Sequence, residues 1–101
     1  MPHQKFKVVF QNDAYAQLQQ SINYYNGKQK GLGKRFAITV KNTAEQLSKN
    51  PFYRMRYDDI RCLPLPKFPF MIHFRINETL NLVQIFALLH TSLNRKWDLE
   101  V

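Results

Sequence analysis

Apolar positions change their period twice along the chain. Residues 6–10 (Phe-Lys-Val-Val-Phe) form a short β-rich run and predict a first strand. Asn12 and Asp13 follow, and either side chain can accept from the free amides of a helix's first turn. Ala14, Leu18, Ile22 and Tyr25 then recur at helical spacing, and Asn26-Gly27 supplies a stop, so a helix is expected over about residues 12–26. Beyond the linker Lys28-Gln29-Lys30 and Gly31-Leu32-Gly33, one apolar stripe runs through Leu32, Phe36, Val40, Thr43 and Leu47. Asn50-Pro51 ends this second helix, because the residue before a proline is pushed out of the helical region. The brief connection makes the two helices an antiparallel hairpin.

From residue 53 onward the period is that of strands. Residues 53–57 alternate, Asp58-Asp59 turns, and residues 60–63 form a strand running into Pro64 and Pro66, which points to an edge or a strand end. After a turn at Lys67-Phe68-Pro69, the cleanest two-residue alternation sets Phe70, Ile72, Phe74 and Ile76 against Met71, His73, Arg75 and Asn77. One of these faces is expected on the helices, and the other would carry His73 and Arg75 outward. Asn77-Glu78-Thr79 is a hairpin loop, and residues 82–89, apolar on both faces apart from Gln84, suggest a central strand. The order is β-α-α-β-β-β, with one more strand if residues 53–57 pair. This is an α+β domain in which a helix hairpin packs on one face of an antiparallel sheet.

The 101 residues suit one domain, which at this size buries roughly two-thirds of its unfolded surface. Charge changes the picture more than length does. Of the net +8, residues 1–57 hold ten Lys/Arg against Asp13 and Glu45, while residues 58–101 balance five against five. Such an excess favours polyanionic or acidic partners. Cys62 is the only cysteine, so no internal disulfide can form, which fits a reducing compartment. The start lacks a signal-peptide pattern, and the richest apolar stretch, residues 80–89, is too short to cross a bilayer. A cytoplasmic protein with no membrane partner is expected. His3, His73 and His90 lack metal-ligand spacing, and Gly31-x-Gly33 lacks the later glycine and the Lys-Ser/Thr of a phosphate loop, so neither a metal nor a small-molecule cofactor is expected.

Several pieces in combination resemble the RelE/ParE toxin family: Tyr24-Tyr25 ending the first helix, Gly31-Leu32-Gly33 before Phe36, Leu47 with Asn50-Pro51, Ile60-Arg61, the segment Pro-Leu-Pro-Lys-Phe-Pro-Phe at 64–70, and Leu89-His90-Thr91 with Trp97. The resemblance spans roughly residues 6–97 and lies closer to the ParE branch, often labelled plasmid stabilisation proteins. It implies a bacterial toxin held inactive by a cognate acidic, partly disordered antitoxin. ParE-like members poison DNA gyrase, and RelE-like members cleave messenger RNA at the ribosome. Where many members carry His-x-x-Arg after the histidine of the last strand, this chain has Leu93, with Arg95 two residues on. It also lacks a lysine-rich helix end joined to a C-terminal tyrosine. Both departures count against RNA cleavage.

The candidate residues each have a bland alternative. Arg61 reads as a clamp for phosphate or carboxylate, which guanidinium binds through two oxygens at once, or as a solvated strand residue; the resemblance favours the clamp. Arg61, Arg75 and His90 would be the catalytic set of a metal-independent endoribonuclease, one group taking the 2′-hydroxyl proton, another protonating the leaving oxygen, an arginine steadying the charge. His73 and Arg75, two residues apart on one strand face, read as binders of a phosphodiester, with Arg95 a further binding candidate, or as a polar outer face. Lys28, Lys30, Lys34, Arg35 and Lys41 suit an acidic antitoxin or nucleic acid, or a solvated helix face. Tyr24 and Tyr25 either stack on bases or seal the core, and Cys62, with no His or Asp that can be placed beside it, reads as packing. Three functions follow: a ParE-like toxin that binds a target such as gyrase, a RelE-like nuclease acting on ribosome and mRNA, or a non-toxic basic interaction module.

Overall fold

The computed structural model describes residues 5–91. Strand β1 (Lys7–Phe10) leads into helices α1 (Asn12–Lys28) and α2 (Leu32–Lys49), and strands β2 (Met55–Tyr57), β3 (Ile60–Pro64), β4 (Phe70–Asn77) and β5 (Leu82–His90) follow. The strands form one five-stranded sheet in the order β1-β5-β4-β3-β2. The strands from β2 to β5 are an antiparallel meander, but β1 pairs with β5 in parallel, so the sheet is mixed rather than antiparallel as the sequence suggested. The helix hairpin carries the chain away from β1 and back, which lets the first strand lie alongside the last. Residues 55–57 do pair, and supply the extra edge strand.

The helix ends differ from expectation. Gln11 stands at the N-cap of α1 without a side-chain cap bond, and Asn12 and Asp13 fall inside the first turn, where Asp13 faces the helix dipole favourably. The helix also runs through Gly27 to Lys28. Asn26 serves the next helix instead: its Oδ1 accepts from the amide of Gly33 at 2.9 Å, one of the donors that α2 leaves unpaired in its first turn. The left-handed residue between the helices is Gly31, at φ 85°. Gly33 is where the hairpin closes, because a Cβ there would collide with the carbonyl of Ile22 and the side chain of Asn26.

Helix α2 carries the buried stripe: Phe36, Val40, Thr43, Ala44 and Leu47 pack onto Leu63, Ile72, Phe74, Val83, Ile85 and Leu88 of the sheet. Leu32, expected in that stripe, is only half-buried. Helix α1 fully buries only Ala14, with Leu18, Ile22 and Tyr25 packed against the core edge. Beyond Phe10 no strand among the described residues flanks β5, and the Leu88 amide is met there by Oε1 of Gln17, at 2.7 Å. Residues 52–91 thus present one sheet face to α2, and the register of β3 and β4 decides what the other face carries.

Candidate functional site

In β3 and β4 the aligned pairs are Arg61 with Phe74, Cys62 with His73 and Leu63 with Ile72. Residues directly opposite share a face, and neighbours along a strand alternate. Arg61 therefore projects on the helix-packed side with Phe74, while Arg75 projects on the opposite side. That single-residue offset sets the two arginines of the expected catalytic set on opposite faces. Arg61 sits at the sheet border, where its Nε donates to the carbonyl of Tyr53 at 2.6 Å and its guanidinium lies 5.7 Å from the centre of the Phe52 ring. On the other face Arg75 Nε donates to both carboxylate oxygens of Asp59, at 3.2 and 3.1 Å, and its guanidinium lies 5.5 Å from the Phe86 ring centre. Arg75 also borders an open cavity of about 620 Å³ with Gln11, Asn12, Asp13 and Phe86.

His73 is the second correction. Rather than facing outward it is fully buried, at 0% exposure, within the run Ile72-His73-Phe74. A register shift between His73 and Phe74 leaves Phe86 as the extra residue on β5. Burial extends to this second sheet face, where Ile60, Cys62 and Ala87 are buried as well. The Nδ1 of His73 lies 3.2 Å from the hydroxyl of Tyr57 and 3.2 Å from Sγ of Cys62. Burial pushes the Tyr57 phenol up to about 12; nearby Cys62 and Asp58 add to this, and Arg75 opposes it. Tyr57 thus keeps its proton at neutral pH. Cys62 has a histidine partner after all, which only the strand register reveals.

His90 closes β5 in register with Phe70, and the two rings pack edge to face at 5.3 Å. Along β4, Phe70 and Phe74 are about 13 Å apart and Phe70 and Arg75 about 17 Å at the usual rise per residue. Arg61, Arg75 and His90 therefore do not converge: two lie on opposite faces, and the third is several residues along. A group that shuttles a proton needs hydrogen-bond reach. Arg95, with Leu93 and Trp97, lies outside the described residues, and among those described no cluster of His, Cys, Asp and Glu could hold a metal. No helix among them is long and apolar enough to cross a membrane.

The basic stretch is brought together with something the sequence did not single out. Lys28 and Lys30 end and follow α1, and Lys34 and Arg35 stand exposed in the first turn of α2. The turn between β3 and β4 comes up against them. Its Phe68 packs on Tyr25 at 5.1 Å and on Phe36 at 5.0 Å, and its Lys67, at φ 70°, borders a cleft of about 490 Å³ with Tyr25, Leu32, Arg35, Ile38, Thr39 and Pro69. Lys41 is set apart from this end. It flanks a groove of about 310 Å³ between α2 and the outer strand β1, lined by Val8, Phe10, Leu18, Ala37, Val40 and Ala44, with Glu45 on its rim.

A helix hairpin covering one face of a mixed five-stranded sheet, with the first strand parallel to the last, is a RelE/ParE-like α+β fold. The chain is similar in structure to a chain of the chromosomal ParDE TA system from P. aeruginosa, with a TM-score of 0.75 and 17% identity, over 88% of this chain and 98% of that one. It is also similar to a chain of the toxin–antitoxin complex RelBE2 from Mycobacterium tuberculosis, with a TM-score of 0.60 and 16% identity, over 85% of this chain and 91% of that one. In sequence, no protein-family model matches it and no curated protein matches it.

Proposed function

We propose that this chain is the single-domain toxin of a bacterial toxin–antitoxin pair, that it acts in the cytoplasm, and that it acts ParE-like, by holding a target such as DNA gyrase. The observation that carries the reading is the likeness to a chain of the ParDE TA system, which extends over 98% of that chain. The dispersal of Arg61, Arg75 and His90 supports binding over chemistry, because a nuclease needs those groups around one phosphodiester.

The acidic antitoxin docks at the outer edge of β1. The amides of Lys7 and Gln11 donate toward β5, to the carbonyls of Asn81 and Ile85, so alternation turns those of Val8 and Phe10 to the open edge. An extended segment adding there gains main-chain bonds and seats its side chains in the groove of Val8, Phe10, Leu18 and Val40. Lys41 on the rim of that groove, with the exposed Lys5 and Lys7 along the same segment of chain, favours an acidic partner.

Expression of the chain alone in bacteria is the test. Filamentation with DNA damage and intact messages is the expected result. Rapid translation arrest with cut messages would replace the gyrase reading with that of a ribosome-dependent nuclease, the activity suggested by the RelE side of the resemblance. Normal growth would leave only a non-toxic interaction module.

A further inference from the structure

Among the described residues, the end of the molecule where the helix hairpin meets the β3–β4 turn has no acidic residue. The chain carries no Asp or Glu between Asp13 and Glu45, and none between Asp59 and Glu78. The hairpin turn and the β3–β4 turn both come from inside these acid-free intervals, so Lys28, Lys30, Lys34, Arg35 and Lys67 gather with no carboxylate from these segments among them. Among the described residues none of the five makes an ion pair. The aromatic side chains there are of two kinds. Tyr25 seals the core against Phe36, Phe68 and Phe70. Tyr24 points out, at 59% exposure, with Lys28 Nζ 5.2 Å from its ring centre. Beside them lies the cleft walled by Tyr25, Ile38, Phe68 and Pro69, with Arg35 and Lys67 on its border.

From this arrangement we infer that the hairpin pole is a binding site for single-stranded nucleic acid. Its cations track the phosphates, and Tyr24 with the aromatic-walled cleft takes up unstacked bases. Sequence-tolerant binding of single strands combines a cationic track with ring faces, since every base has a π-face to offer. An acidic protein segment would use the same cations, but the exposed face of Tyr24 beside an aromatic-walled cleft adds stacking surface that suits bases. Loss of counterions supplies the drive, so the affinity falls with salt by about 0.7 per phosphate on a logarithmic scale. Four phosphates, one each for Lys30, Lys34, Arg35 and Lys67, give a slope of about −2.8 and a roughly fiftyfold weakening between about 50 and about 200 mM salt. The site is separate from the β1 edge and does not depend on the toxin reading.

The test is fluorescence anisotropy of the full chain with a labelled oligouridylate across a salt series. The main variant is K34E/R35E, whose new acids sit in the first turn of α2, where negative charge suits the helix dipole and the fold is kept. It should reduce the slope by about 1.4, and Y24A should weaken binding without changing the slope. A control with the same net charge, K49E/R54E, alters the far end of α2 and the segment before β2 and should leave most of the binding intact. Equal losses in K34E/R35E and in the control would overturn the site, as would a K34E/R35E variant that binds like the parent. A labelled polyglutamate of matched charge binding as tightly as the oligouridylate at each salt concentration would overturn the nucleic-acid assignment and make the pole a site for acidic peptides.

Discussion

Replacing Gly33 with alanine tests how the two helices are held together. Gly33 is buried, and a Cβ built on it meets the carbonyl oxygen of Ile22 and the side chain of Asn26 far inside contact distance. A carbonyl belongs to the backbone of α1, so relief requires moving one helix, not turning a side chain. Forcing an extra carbon into a packed site costs typically about 1–3 kcal/mol. The bond from the Gly33 amide to Asn26 Oδ1 weakens as the helices part, a further loss of about 0.5–1.5 kcal/mol. Against this, alanine recovers up to about 1 kcal/mol of helix propensity. With that recovery in full, the balance is a destabilisation of about 0.5–3.5 kcal/mol, which for a domain of this size lowers Tm by roughly 2–28 °C. Gly27 is the internal control. It is also helical, but nothing lies within 4 Å of its Cβ position, so Gly27→Ala should raise stability by about 0.4–1 kcal/mol. Thermal and urea unfolding followed by circular dichroism reads both. A Gly33→Ala melt at or above that of the parent would refute the close-approach argument, and so would equal shifts in the two variants.

Phe36 is fully buried against the rings of Tyr25, Phe68 and Phe70, so Phe36→Ala should cost about 3–5 kcal/mol, much of a small domain's total, and a urea midpoint close to the parent's would contradict that. Tyr57, raised to about 12 when folded from an unfolded value of 10.0, adds stability that is intact below pH 10 and lost as pH climbs through 12. Unfolding midpoints measured across that alkaline window should fall less steeply in Tyr57→Phe than in the parent, and parallel curves would refute the shift. The Arg75–Asp59 pair, with side chains 49% and 60% exposed, should be worth less than about 1 kcal/mol in a double-mutant cycle of denaturant unfolding.

The helices were legible because α2 keeps a single stripe, in which Phe36, Val40, Thr43 and Leu47 recur every three or four residues and Asn50-Pro51 closes the turn. The strands of the meander were legible because Phe70, Ile72, Phe74 and Ile76 alternate cleanly and the turn residues fall between the runs. What periodicity does not encode is which strand lies beside which. The parallel placement of β1 against β5 follows from how the hairpin folds back over the sheet, and no residue in 6–10 records it. Nor do local cap preferences settle the helix ends: Asn26-Gly27 carries the composition of a stop, yet Asn26 is engaged in holding Gly33, and the helix continues past both.

The site was less legible than the fold, and the reason lies in strand pairing. The sequence gives the face of Arg75 relative to His73, two residues along one strand, but the face of Arg61 depends on the β3–β4 register, which pairs it with Phe74. One residue of slip would have put both arginines on the same side. Even with the faces assigned, alternation did not give the burial of His73, because a sheet face is exposed only where nothing covers it, and at the centre of this sheet Ile60, Cys62 and Ala87 are buried along with it. The cationic stretch was different. Lys28, Lys30, Lys34 and Arg35 are close in the chain, so a hairpin must keep them close in space, and the stretch between Asp13 and Glu45 brings no acid of its own to them. Lys67 and Phe68, more than thirty residues further on, join that surface only through the aromatic packing of Tyr25 and Phe36, a contact between distant segments that patterning cannot show. Chemistry that depends on sequence neighbours could be read in advance, and chemistry that depends on register or on a distant turn could not. For that reason the hairpin pole is a firmer guide to what the surface binds than any set of isolated arginines and histidines on the sheet.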